Sequence, residues 1–156
     1  MTIPYRQLAA LALTATLALA AANARAQAWS LVTKAESDAE QTHLKQSILL
    51  PKASSAGAPQ IEIVEPDLRT ALAAPLVIRV KFVPEGASTL VPASLRVYYG
   101  VFGIDITERL MKRAHFENDM LVLDRADIPS GTHRLLMTIK DSTDRTAEKL
   151  LTLTVR

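Results

Sequence analysis

The chain of 156 residues contains no cysteine. This absence excludes disulfide bonds, thiolate metal sites and attachment of a lipid to a processed cysteine. Aromatic residues make up only 4% of the chain, and glycine occurs five times. The sequence has no glycine-rich phosphate loop and no Gly-x-Ser-x-Gly elbow of a serine hydrolase. Because disulfide bonds and thiolate metal sites are excluded, a folded domain of this chain must be stabilised by its hydrophobic core alone.

Histidine is also scarce and scattered. His43, His115 and His133 lie in three different segments, and no pair of them has the His-x-x-His spacing of metal ligands. The acidic residues Asp124 and Asp127 flank a turn signal, where carboxylates commonly cap the backbone. We therefore predict a non-catalytic protein without a cofactor.

Residues 1–28 have the layout of a secretory signal peptide. Arg6 is followed by the apolar run Leu8 to Ala22 and then by two overlapping small-x-small sites, Ala24-Arg25-Ala26 and Ala26-Gln27-Ala28. The run is shorter than the roughly 20 residues that a membrane-spanning helix requires. We predict cleavage, location in the periplasm and no stable membrane insertion afterwards; an uncleaved anchor is the alternative.

The predicted cleavage changes the charge of the protein. The full chain has 18 Lys and Arg against 16 Asp and Glu, and residues 1–28 contain two Arg and no acid, which leaves 16 against 16. No basic block or stripe remains in the mature part. Nucleic acid is therefore not an expected partner.

The mature part divides where its composition changes. Residues 29–50 are predicted to contain a helix, because Thr33 and Glu36 have capping-box spacing, Ala35 and Ala39 are one turn apart, and the pair Ile48-Leu49 follows. Residues 51–58 combine proline, serine and glycine and are typical of a linker. From residue 59 to residue 156 the hydrophobic period is two.

The alternation in residues 59–156 predicts seven short strands. The clearest is "LVIRVKF", in which Leu76, Ile78, Val80 and Phe82 alternate with Val77, Arg79 and Lys81. Other alternating or apolar segments lie at 61–63, 95–99, 104–107, 120–124, 134–140 and 150–155. Seven strands with turn signals between them predict an all-β fold, a sandwich of two antiparallel sheets. A closed barrel is the competing architecture.

The segments "VPASLRVYYG", "DIT" and "LVLDRADIPSGTHRLLMTIKDSTDR" resemble the bacterial immunoglobulin-like domains of cell-envelope and surface proteins. The resemblance covers residues 59–156. It implies an immunoglobulin-like sandwich that serves as a spacer, an adhesion module or an assembly subunit, and it implies that His133 is a structural corner residue. Asp144 stands where these domains usually have glycine; aspartate can adopt the left-handed conformation that such a turn requires.

The resemblance also suggests an interaction face. In an immunoglobulin-like topology the third, sixth and seventh strands share one sheet. The outer face of that sheet would carry mixed aromatic, aliphatic and basic residues, which are enriched at protein interfaces. These residues are Arg96, Tyr98, Arg134, Leu136, Thr138, Leu150 and Thr152. An envelope protein is the expected partner; coverage of the face by the N-terminal helix of the same chain is the alternative.

A second function stays open at this point. In this alternative, the loops at one end of the sandwich bind a small ligand, either a sugar or a metal. Trp29 and Tyr98 are the candidates for stacking against a sugar, and Met111, Met120 and Met137, with the histidines, are the candidates for copper.

Overall fold

The computed structural model describes residues 29–46 and 50–156. The predicted signal peptide and the pair Ile48-Leu49 lie outside the described residues. The elements are, in chain order, α1 (Lys34–His43), β1 (Gln60–Glu65), β2 (Leu76–Val83), β3 (Leu90–Tyr99), β4 (Ile104–Asp105), α2 (Thr107–Met111), β5 (His115–Glu117), β6 (Met120–Ala126), β7 (Gly131–Asp141) and β8 (Thr146–Val155).

The strands form two antiparallel sheets of four strands each. Sheet 1 has the order β1-β2-β6-β5 and sheet 2 has the order β4-β3-β7-β8. This is the strand order of an immunoglobulin-like constant domain, with the short strand β4 added at one edge. The predicted all-β sandwich is confirmed, and β3, β7 and β8 share one sheet as expected.

The alternation of each long strand directs one row of apolar side chains between the sheets. Phe82 on β2 and Tyr99 on β3 are fully buried, and Leu135 on β7 and Leu153 on β8 face them from the same core. Arg96 on β3 and Thr152 on β8 are exposed on the outer side. Burial of this row is the main source of the stability of the domain.

Two local predictions were wrong. The predicted strand 104–107 is a strand only over Ile104–Asp105, because the carboxylate of Asp105 accepts a hydrogen bond from the amide of Thr107 at 2.8 Å and the chain turns into α2. An eighth strand, β5, pairs with β6 through only three residues, too few to show alternation. Asn118 and Asp119 both have positive φ between these strands, as a tight hairpin turn requires.

The β7–β8 turn is stabilised by Asp141. This side chain accepts hydrogen bonds from the amides of Thr143 and Arg145, at 2.9 and 3.0 Å, and pairs with the Arg145 guanidinium. Although burial opposes ionisation, these hydrogen bonds hold the pKa of Asp141 well below its usual range. Asp144 has φ of +64°, the left-handed conformation expected at this position.

No helix in the two described ranges has the length and apolar character that crossing a membrane requires. Residues 50–59 contain no helix or strand. The amide of Ser55 donates to the carbonyl of Thr146 at 3.1 Å and the amide of Lys52 donates to the carboxylate of Glu148 at 2.7 Å. This segment therefore lies against the beginning of β8.

Candidate functional site

Helix α1 begins at the predicted capping box. The hydroxyl of Thr33 accepts from the amide of Glu36, and the Glu36 carboxylate accepts from the amide of Thr33. The helix is shorter than the predicted segment 29–50. Leu31 and Val32 precede it in the core, with 1% and 0% exposure, and the backbone is extended at the N-cap Thr33.

The buried face of α1 is polar. Ser37 and Glu40 are its buried residues, whereas Ala35 is exposed. An amphipathic surface helix usually buries apolar side chains, so hydrogen bonds and ion pairs must supply the attachment here. Glu36 contributes one of them, a pair with Arg109 at 2.7 Å, and the hydrogen bond from Arg109 lowers the pKa of Glu36 to about 2.

Glu40 is the centre of this attachment. Its side chain is 1% exposed, and its carboxylate forms an ion pair with Arg134 at 2.5 Å and accepts from the amide of Val101 at 2.6 Å. Arg134 also donates to the carbonyl of Gln46 at 2.8 Å. Gly100, with φ of +66°, leaves room for the carboxylate, since a Cβ there would lie 2.9 Å from it. A single buried charge pair thus joins α1, β7 and the β3–β4 turn.

Gln41 adds a second attachment next to the first. Its side-chain amide donates to the carbonyl of Thr132 at 2.6 Å and its carbonyl accepts from the amide of Thr132 at 3.1 Å. The side chain therefore completes the hydrogen bonds of the β7 backbone as a neighbouring strand would. Gly131 has φ of +135°, and a Cβ there would collide with Gln41.

These contacts hold the turn of residues 100–103, which we call the aromatic tip. Gly100 and Val101 are buried in it, Gly103 is half-buried and Phe102 is exposed. The amide of Gly100 donates to the carbonyl of Arg134 at 2.9 Å, and the amide of Gly103 donates to the carbonyl of Gly100 at 3.1 Å. Phe102 is 62% exposed at this turn, and its ring packs edge-on against His43 with 5.4 Å between centroids. The tip presents a large apolar side chain on a backbone that is held by hydrogen bonds.

The predicted interaction face is only partly accessible to solvent. All of its residues lie on the outer side of sheet 2, as the register of β3, β7 and β8 shows. Arg134 is 16% exposed because Glu40 of α1 lies against it, and Leu136 is 8% exposed. These two residues are therefore not available as a docking surface. Arg96 and Thr152 are exposed, and Tyr98, Thr138 and Leu150 are half-buried.

His133 lies at the beginning of β7 with no exposed surface. Its Nε2 is 2.8 Å from the carbonyl oxygen of Pro129, and its Nδ1 is 2.8 Å from the hydroxyl of Tyr99. Because a carbonyl only accepts, Nε2 carries the proton and Nδ1 accepts from Tyr99. The ring thus joins the loop before β7 to the core, the place at which immunoglobulin-like sandwiches have a corner tyrosine.

The environment of His133 predicts a pH-dependent stability. Burial lowers its pKa below the ordinary 6.5, while the Pro129 carbonyl and the charge of Glu40 partly oppose this. The unfolded chain then binds the proton more readily, so the stability is complete above about pH 6.5 and declines as the pH falls through the folded pKa. We expect the melting temperature to decrease between about pH 7 and about pH 5.

His133→Gln should remove most of this decrease, and His115→Gln, at an exposed position, should retain it. A melting temperature that does not change over this interval, or an equal decrease in His133→Gln, would contradict the assignment.

The residues proposed for a small ligand do not form one site. Met137 is buried in the core, and Met111 is 38% exposed on α2. Among residues 29–46 and 50–156, no group of three or more His, Asp or Glu side chains is placed to hold a metal ion. Trp29 lines a cleft to which Tyr98 does not contribute.

Sequence reasoning missed Glu40 and Phe102. Glu40 and His43 have a Glu-x-x-His spacing, which can indicate a metal site, yet the carboxylate pairs with Arg134 and the imidazole packs on Phe102. The available signal for Glu40 was its position one turn after Glu36 in a helix that lacks an apolar stripe. Phe102, between two glycines of a turn, was the signal for an exposed aromatic residue.

No protein-family model and no curated protein matches the chain. Among solved structures, it is similar to CopC from Methylosinus trichosporium OB3b, with 16% identity and a TM-score of 0.41. The similarity covers 62% of this chain and 93% of that chain. At this level it supports no statement about what the present chain binds.

Proposed function

We propose that this protein is a non-catalytic interaction module of the bacterial envelope, which docks an envelope protein through the aromatic tip. The observation that carries the proposal is the 62% exposure of Phe102 on a turn whose backbone is fixed by Glu40 and Arg134. Exposed aromatic anchors frequently dominate the binding energy of protein interfaces. A turn whose hydrogen bonds are already formed loses little conformational entropy on binding, which favours association.

The outer face of sheet 2 extends this proposed contact. Arg96 is exposed, and Tyr98, Thr138 and Leu150 keep part of their surface accessible. Arginine and tyrosine are enriched at interfaces, and half-buried side chains are already partly ordered before binding. We infer that Phe102 is the anchor of the contact and that these four residues extend it along sheet 2.

The state of the buried ionisable groups supports a non-catalytic role. Glu40 is paired with Arg134, and both ring nitrogens of His133 are occupied by hydrogen bonds. Burial raises the pKa of the Tyr99 hydroxyl well above its ordinary 10. None of these groups is placed to exchange a proton with a bound substrate. The proposed periplasmic location rests on the sequence of residues 1–28.

Phe102→Ala should weaken partner binding without unfolding the domain. Truncation of an aromatic anchor costs about 2 kcal/mol or more, which corresponds to roughly a 30-fold loss of affinity. Val64→Ala is the matched control, since Val64 is 49% exposed on β1 of sheet 1. Recovery of envelope proteins on the immobilised variants, quantified by mass spectrometry, measures the effect. A protein recovered equally by wild type and Phe102→Ala would not use the tip.

A small-ligand module is the second candidate function. The observation that favours it is an open cleft of about 540 Å³ beside Trp29, a volume within the range of small-molecule sites.

A further inference from the structure

The cleft beside Trp29 lies at the end of β6. An isolated bridge joins Ser30 to Asp127, and the amide of Leu31 donates to the carbonyl of Asp127 at 3.0 Å, so the chain that precedes α1 is anchored at this place. Arg113 follows α2, and its guanidinium carbon is 5.9 Å from the centroid of the Trp29 ring. The remaining lining residues are Pro75, Leu123, Asp124 and Arg125.

The cleft combines an apolar wall with a charged rim. Trp29 and Pro75 provide the wall, whereas Arg113, Arg125, Asp124 and Asp127 provide two positive and two negative groups. Leu123 lies beneath them and is only 1% exposed. All four charged residues are exposed. None of them forms an ion pair with another residue in the described part of the chain.

This composition selects among classes of ligand. The four side-chain charges sum to zero, so these side chains together attract neither an anion nor a cation. Ion pairs at exposed positions contribute only about 0–1 kcal/mol, which disfavours a small zwitterion held by charge alone. A hydroxyl group can accept from a guanidinium and donate to a carboxylate, so neighbouring hydroxyls use both kinds of rim residue. The apolar C–H face of a sugar ring matches an aromatic wall.

We propose that the Trp29 cleft binds a neutral carbohydrate, with one ring face against Trp29 and the hydroxyls hydrogen-bonded to Arg113 and Asp124. The contact of Arg113 with the Trp29 ring limits the freedom of the guanidinium before binding. This inference rests on the second candidate function and is independent of the aromatic tip.

Trp29 is the single tryptophan of the chain, so its fluorescence reports on the cleft alone. The test titrates the mature protein with N,N′-diacetylchitobiose, cellobiose and maltose, with glycine as the zwitterionic probe. We expect a saturable change of emission with at least one disaccharide. Arg113→Ala and Asp124→Ala should each weaken it about tenfold or more, because each removes a charge-assisted hydrogen bond.

Arg69→Ala is the matched control, because Arg69 is exposed, pairs only with Asp67 and lies outside the cleft; its titration should equal that of the wild type. Since Arg113 and Asp124 are exposed, both variants should keep the wild-type melting temperature. A response to glycine but to no disaccharide overturns the carbohydrate inference and leaves the second candidate function standing. No saturable response to any of the four probes overturns both. A disaccharide response that is equal in wild type and Arg113→Ala overturns the inferred binding mode and leaves the second candidate function standing.

Discussion

Glu40→Ala should destabilise the domain by about 3–5 kcal/mol, the usual consequence of removing one partner of a buried ion pair. The substitution leaves the guanidinium of Arg134 without its carboxylate in a site where Nη2 already has no hydrogen-bond partner. It also leaves the amide of Val101 without its acceptor. A domain of this size has a total stability of only about 5–15 kcal/mol, so urea unfolding followed by circular dichroism would show the loss clearly.

Two further variants separate the buried pair from an ordinary surface pair. Glu40→Ala combined with Arg134→Leu should recover part of the lost stability, because it removes the unpaired charge as well. Lys34→Ala disrupts an exposed pair with Asp38 at 2.8 Å in the same helix and should cost less than about 1 kcal/mol. Equal losses of stability in Lys34→Ala and Glu40→Ala would show that the buried pair of Glu40 and Arg134 contributes no more than an exposed pair.

Tyr99→Ala should have an effect of similar size, about 3–5 kcal/mol, because it removes a fully buried aromatic ring from the core. Tyr99→Phe measures the contribution of the hydroxyl to stability separately from that of the ring. It keeps the ring but leaves Nδ1 of His133 buried without a donor, which should cost about 1–3 kcal/mol. Both losses can be measured by the same urea unfolding experiment.

Tyr98→Ala is the control for this prediction. Tyr98 is the chain neighbour of Tyr99, has the same side chain and lies half-buried on the outer face of sheet 2. Its truncation should therefore cost clearly less than that of Tyr99. A larger loss for Tyr98→Ala would mean that the sides of β3 are assigned the wrong way round.

The sandwich was predictable from sequence because each long strand has one solvent-exposed side and one buried side. The alternation around Phe82 and Leu135 determines which side chains enter the core. The same alternating pattern predicts the strands β3, β7 and β8. Short elements such as β5 and α2 depend on tertiary contacts. Three residues of β5 cannot show a period, and Thr107 begins α2 partly because its hydroxyl accepts from the amide of Val97 at 2.8 Å.

The candidate site was harder to predict for a physical reason. The alternation correctly places Arg134 and Leu136 on the outer side of β7, but it contains no information about which other element covers that side. Glu40 belongs to a polar helix, and polar residues in a helix normally indicate a solvated surface. Only the three-dimensional position of α1 shows that this carboxylate is buried against Arg134.

The central claim is that the aromatic tip contacts an envelope protein, and photo-crosslinking in cells tests it most directly. A photoreactive phenylalanine analogue would replace Phe102 in one strain and Val64 on β1 in another, both of which are exposed. We expect irradiation to give one discrete covalent adduct from position 102 and none from position 64. Adducts of equal yield at both positions, or no adduct at position 102 in a protein that is stably produced, would contradict the account.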